Sequence, residues 1–161
     1  MLVMLKDLIL HKGYANAALL KAIQQNKAAA HDPELRTLLH HIIVANRFWL
    51  SLILDSEFDA DKERQVPDSL DGIVSLYQEA HEQELEWIAQ VQESDLERTV
   101  ESGFLPGASF SVGQVMIQVC MHSTGHRAQC SSRLRGMGGS PPAMDFILWL
   151  NQRPAADWSS L

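Results

Sequence analysis

The stretch from Ser111 to Gly136 constrains this chain more than any other. Ser111 followed three residues later by Gln114 is a capping box, and Phe110 and Val115 are placed to staple across it, so a helix begins here. Gly136, Gly138, Gly139 and the Pro141-Pro142 pair end it. Midway along, His122 and His126 stand four residues apart. On a helix that spacing sets both imidazoles on one face, with Cβ atoms roughly 6 Å apart, so that one divalent ion can reach both. An HxxxH pair is also common on ordinary helix surface. What the rest of the chain brings to it therefore decides its meaning.

Three more long helices are expected. The first runs from Leu2 to about Gln25, with Leu5, Leu8, Ile9, Tyr14, Ala18, Leu19 and Ile23 near helical spacing. Gly13 in its middle weakens it by up to ~1 kcal/mol and marks a close approach to another helix. The second opens at Asp32, a good N-cap, with Pro33 at the first helical position and Glu34 opposing the dipole, and it continues to Leu54. Leu38, His41, Ala45, Phe48 and Leu52 form one stripe, and Arg36, His40 and Arg47 a more polar one. On that basis His41 is read as inward and His40 as solvated. Residues 55–67 read as a solvated polar linker without an EF-hand pattern. The third helix starts at Asp68 or Ser69 and runs to about Glu93, on Ile73, Val74, Tyr77, Ala80, Leu85, Ile88 and Val91. His81 opens an apparent HExxH, but position 85 is leucine, so the zinc-protease motif fails. His81 then reads as a partly buried histidine ahead of a pocket residue.

Between 94 and 110 two short strands are expected, Leu96–Val100 and Ala108–Phe110, around Gly103 and Pro106-Gly107. A short fifth helix follows from Met144 to Leu150, and the tail through Trp158 reads as loosely structured. The expected fold class is all-α: one domain over residues 1–161, a four-helix bundle with a short C-terminal fifth helix.

Composition narrows the function. The chain has 161 residues, and its 13 Lys+Arg against 20 Asp+Glu give a formal charge of -7, which argues against nucleic-acid binding. Arg127, Arg133 and Arg135 form only a small basic cluster, and the last two suit the end of a helix. Cys120 and Cys130 fit neither a CxxC pair nor a zinc knuckle and are too far apart on one helix to bond, which points to a reducing, cytoplasmic compartment. The amino terminus lacks the pattern of a signal peptide, and no segment has ~20 uninterrupted apolar residues. No membrane association is expected.

Bundles build ligand sites from side chains on facing helices. His41 on the second long helix with His122 and His126 on the fourth make three neutral imidazoles, a sufficient set for a catalytic site with an open position for water or substrate. Neutral ligands leave the full charge of a divalent ion in place, so water there can reach a pKa of about 7 and a thiol is deprotonated outright. Cys130, four residues past His126, is either a fourth ligand or a buried small residue. Gln129 is placed to line the pocket. Arg127 is turned by about 100° from His126 and is expected to pair with a carboxylate of a neighbouring helix. Asn16 and Glu79 are candidates to hydrogen-bond the second nitrogen of a ligand histidine. The carboxylate di-iron pattern, a GxSxG elbow and a P-loop are absent.

Over nearly its whole length the chain resembles the DinB/YfiT-like family of metal-dependent enzymes. Tyr14-Ala15-Asn16 is similar to the family's aromatic-Ala-Asn signature. Leu39 to Leu50 resembles its first histidine segment, and His122 to Gln129 its HxxxHRxQ segment, with Ala128 where glycine is usual. Gly138 to Pro142 and Asp145 match the turn and final helix. The resemblance implies a four-helix bundle holding one divalent metal, often zinc or nickel, through His41, His122 and His126. It also implies a homodimer, and its characterised members include thiol S-transferases using bacillithiol or mycothiol. The expected function is thus a metal-dependent transferase that activates a low-molecular-weight thiol toward a small-molecule electrophile. A metal-dependent hydrolase is the nearest variant, and a non-catalytic stress or ligand-binding bundle the second class.

Overall fold

The structure, a computed structural model, describes residues 1–159 and 161. Four long helices dominate it: α1 (Leu2–Gln24), α3 (Pro33–Leu54), α5 (Leu70–Gln90) and α6 (Val112–Gly136). Short helices α2 (Lys27–Ala30), α4 (Ala60–Glu63) and α7 (Phe146–Gln152) lie in the connections and near the end. α6 packs on both α1 and α3, and α5 packs on the same two helices, so the four close into a bundle in the order α1–α6–α3–α5.

The starts of these helices are written locally. Asp32 accepts from the Leu35 amide at 2.7 Å and Ser69 from the Gly72 amide at 3.1 Å. Ser111 and Gln114 satisfy each other's backbone amides at 3.2 and 2.9 Å, which completes the expected capping box. Each such cap is worth roughly 1 kcal/mol. Asp32 is also gripped by both Arg133 nitrogens, at 2.7 and 2.8 Å, and so ties the start of α3 to the end of α6.

The apolar interior is split in two. One cluster gathers Leu19, Leu20 and Ile23 of α1 with Leu39, Ile42 and Ile43 of α3, Ile73 and Tyr77 of α5, and Leu134 of α6. The other gathers Leu5 and Ile9 with Ile53, Ile88, Val112, Val115 and Met116. Between them, on every long helix, the buried positions turn polar: Lys12 and Asn16, Asn46, His81 and Glu84, and Ser123 and Arg127. A polar layer therefore crosses the waist of the bundle.

Lys12 and Glu84 are 2 % and 0 % exposed and form an ion pair within this layer. Burial alone raises the Glu84 carboxyl, but the charge and hydrogen bond of Lys12 and the neighbouring His81 carry it the other way, to a net lowering. Such a pair adds little net stability, yet removing one partner strands the other charge in the interior. Gly13 faces the His81 ring so closely that a Cβ built on it would overlap the imidazole. That is the close helix approach expected from the glycine.

Three connections differ from the sequence reading. The segment expected as a strand from Leu96 begins instead as a 3-10 turn (Glu93–Glu97) closed by a Gln92–Asp95 capping box. The two strands are shorter, β1 (Thr99–Glu101) and β2 (Ser109–Ser111), paired antiparallel with Val100 opposite Phe110. Residues 55–67 are not wholly a solvated linker, because Asp59 caps α4 and Glu63 binds Arg47 through both carboxylate oxygens. The tail is packed as well: Trp149 is buried with its indole donating to the Pro154 carbonyl at 3.0 Å, and Trp158 lies on the larger cluster beside His81.

α3 is long and apolar enough by length and composition to cross a membrane. In the bundle that character has another cause. One face of α3 packs into the core, while Val44, Ala45 and Phe48 on another line an apolar cleft.

Candidate metal centre

His41 reaches toward α6 from α3, and His122 and His126 sit one helical turn apart on α6. The rings converge, with centroids 5.1 Å apart for His41–His122, 4.7 Å for His41–His126 and 4.4 Å for His122–His126. One ligating nitrogen from each lies within 4.8 Å of the others. No carboxylate or thiolate joins the cluster among the described residues.

The electrostatics suit ligation. Burial lowers the pKa of His41, and the neighbouring His126 lowers it further. Burial likewise lowers that of His122, with His126 and His41 adding to the effect. Both rings are therefore neutral at pH 7, the state that coordinates a cation. His126 Nδ1 donates to Gln129 Oε1 at 2.8 Å, which puts the ring proton on Nδ1 and frees the Nε2 lone pair. Three converging imidazole nitrogens, one already oriented by a neighbouring amide, are a donor set that fits one divalent ion of the zinc or nickel type.

The facing of the histidine pair on α3 is the reverse of the sequence reading. His40 is buried, at 6 % exposure, and His41 is exposed. The core-facing stripe of α3 is Leu35, Leu39, Ile42, Ile43, Asn46, Leu50 and Ile53. The stripe through His41, Ala45 and Phe48 borders the cleft instead. His41 joins the cluster from the cleft border, where it lines the cleft together with His122, outside the core.

Arg127 also departs from expectation. It is 3 % exposed and meets no carboxylate; it donates to Asn16 Oδ1 at 2.9 Å and to Thr124 Oγ1 at 3.0 Å. Burial brings its pKa down to about 10. Asn16 is thus engaged by Arg127 and serves no ligand histidine, and Glu79 lies 3.5 Å from Arg47, on the surface. Cys130 is fully buried in the larger core, with its thiol pushed up to about 12, and is no part of the cluster. His81 lies in the polar layer beside Glu84 and Gly13, away from the triad. Gln129, expected in the pocket, holds a ligand histidine instead.

The cleft has a volume of about 1220 Å³. His41 and His122 stand in its wall, and Phe48, Trp49, Phe58, Phe104 and Phe110 supply aromatic surface. Phe104 and Leu105, in the loop between β1 and β2, are exposed at its lip. Phe58 comes from the segment read as a solvated linker and packs edge-on against Phe48. A single phenylalanine among acidic residues was the signal available for it. Lys12 also left a signal, since it occupies a core position in the stripe Leu5, Ile9, Lys12, Asn16, Leu19.

This fold agrees with what comparison shows. The model of the DinB superfamily matches residues 17–130, more than half of the chain and the part that holds all three histidines, and the chain belongs to that superfamily. Among solved structures, a DinB-like protein from Bacillus cereus superposes with a TM-score of 0.64 at 18% sequence identity, over 83% of this chain and 90% of the other. At that identity the likeness speaks for the all-α DinB-type fold. Comparison with curated proteins returns no match.

Proposed function

We propose that this protein is a metal-dependent enzyme in which His41, His122 and His126 hold one divalent ion, zinc or nickel, beside a substrate cleft. The observation that carries the proposal is the convergence of three imidazoles, two of which line a large aromatic cleft. A divalent ion held there supplies Lewis acidity, which favours the anion of a thiol or of water at neutral pH. Gln129 orients His126, and the α3–α6 packing fixes the distance of His41 from the α6 pair. The walls formed by Phe48, Trp49 and Phe110 exclude water and select an apolar, preferably aromatic, small molecule.

The reaction we favour is transfer of a low-molecular-weight thiol to such an electrophile. Its support is the chemistry of the donor set and the apolar character of the cleft, together with family resemblance. Hydrolysis is the second reading, because the same Lewis acidity serves water. We place the protein in the cytoplasm and expect a homodimer, on the two unbonded cysteines and on family resemblance.

The test is metal content by mass spectrometry after incubation with zinc or nickel, for wild type beside His41→Ala, His122→Ala and His126→Ala. About one ion per chain in the wild type and loss in each variant is expected; undiminished metal in all three would overturn the site. Turnover of aromatic electrophiles with bacillithiol, mycothiol and glutathione then separates transfer from hydrolysis. Thiol-independent turnover favours hydrolysis, and a metal-loaded protein inert in both screens points to a binding role.

A further inference from the structure

α6 carries a second cluster that the metal centre does not use. Leu8, His11 and Lys12 of α1 and Cys120, Met121, Thr124 and Arg127 of α6 line a small cavity of about 210 Å³ that opens to solvent beside the exposed Met121 and Thr124. Two cationic side chains, both almost fully buried, stand in its wall. Their charges are balanced differently. Lys12 has Glu84 as its partner. Arg127 has only the Asn16 amide oxygen and the Thr124 hydroxyl, with no carboxylate in salt-bridge contact among the described residues. His11 does not add a charge at neutral pH, because burial lowers its pKa; its Nε2 is bonded to the Met144 carbonyl at 2.8 Å. The cavity thus borders one uncompensated positive charge.

A guanidinium has more N–H donors than these two contacts use, and its planar fork matches a carboxylate. An isolated charge in the interior is costly unless a counter-ion or water meets it. Leu8, Cys120 and the methylene stem of Met121 form apolar walls on the same cavity, which suits a short alkyl chain. Because one positive charge is unmatched, a singly charged anion balances the site and a doubly charged one does not.

We propose that this cavity is a binding site for a short-chain monocarboxylate of the acetate or propionate class, its carboxylate paired with Arg127 and its alkyl end against Leu8 and Met121. The proposal is independent of the metal centre, since Arg127 and Met121 do not belong to the histidine cluster.

The experiment is a titration of acetate and of propionate against chloride at constant ionic strength. It is followed by methyl NMR of Met121 and Thr124 and by thermal unfolding. Saturable shifts at these two methyls and a saturable rise in Tm with the carboxylates are expected, because a ligand that binds only the native state stabilises it. Arg127→Gln keeps a donor for Asn16 without the charge, and Leu8→Phe narrows the cavity and leaves the polar groups in place. Arg127→Gln should weaken binding by about tenfold or more through the loss of one charge-assisted contact, and Leu8→Phe by a comparable factor through lost space for the alkyl end. His126→Ala should bind as the wild type does, which separates this site from carboxylate captured at the metal centre. Absence of saturable shifts in the folded wild type would mean that only water fills the cavity, and the proposal fails. Undiminished binding in folded Leu8→Phe also overturns it, even if Arg127→Gln does not fold.

Discussion

The two sides of the polar waist follow opposite rules. On the inner side, Lys12 and Glu84 bond to each other and Arg127 bonds to Asn16 and Thr124, although Asn46 Oδ1, His81 Nδ1, Glu84 Oε2 and Ser123 Oγ of the same layer have no hydrogen-bond partner in the protein. On the outer side the rings of His41, His122 and His126 converge, and among the described residues only His126 has a protein hydrogen bond. The inner charges depend on each other, because removing either one strands its partner in the interior. The outer groups sit at the border of the cleft, and their convergence is what the proposed metal site rests on.

That contrast can be broken experimentally. The largest effect is expected inside. Glu84→Gln leaves the Lys12 ammonium buried without a counter-charge and should cost about 3–5 kcal/mol, read from urea unfolding. Lys12→Met combined with Glu84→Leu should recover most of that loss; a double variant as unstable as the single would show that the pair is itself stabilising. Next, Gly13→Ala drives a methyl into the His81 ring and should cost about 1–3 kcal/mol, relieved when His81→Ala is added. A non-additive double-mutant cycle checks the contact.

At the edge of the bundle, Asp32→Asn keeps the N-cap but removes the ion pair with Arg133, and should cost about 0.2–1 kcal/mol at pH 7. Its sign with pH is fixed by the lowered Asp32 pKa, held down first by the Arg133 hydrogen bond. The unfolded carboxyl takes up a proton before the folded one does. The contribution is therefore full above the unfolded pKa and disappears as pH falls through the folded pKa. The variant should lose less stability than the wild type on acidification across that window.

The smallest effect is expected outside. His41→Ala and His122→Ala in metal-free protein should change stability by no more than about 0.5 kcal/mol, as surface substitutions do. Added zinc should raise the Tm of the wild type but not of these variants. A histidine variant that unfolds without metal would erase the distinction between the two sides.

Much of the bundle was legible because its signals are local. Asp32-Pro33, Ser69 and the Ser111–Gln114 box state their helix starts within four residues. The His122–His126 spacing is local in the same way. What the sequence hid was facing. α3 is apolar on its core side and on its cleft side, so the stripe through His41 and Phe48 looked like a core stripe, and His40 and His41 were assigned the wrong way round. The partner of Arg127 was hidden for a different reason. Asn16 lies 111 residues away, and rotation about the helix axis predicts a direction but not which neighbour stands there. The tail was misjudged because Trp158 is an isolated aromatic in a polar run, and only its tertiary partners make it part of the core.

The hydrogen bond from His126 to Gln129 has a wider consequence. Two of the three histidines and the amide that orients one of them fall within residues 122–129, on a single rigid helix. That octet is a portable cassette: a designer could graft it onto another bundle and would have to match only one further side chain, from one facing helix. The same economy makes the assembled site a gauge of alignment. A slide of α3 along α6 by one residue, about 1.5 Å, would carry His41 away while leaving the cassette whole, so metal affinity would report the register of two helices.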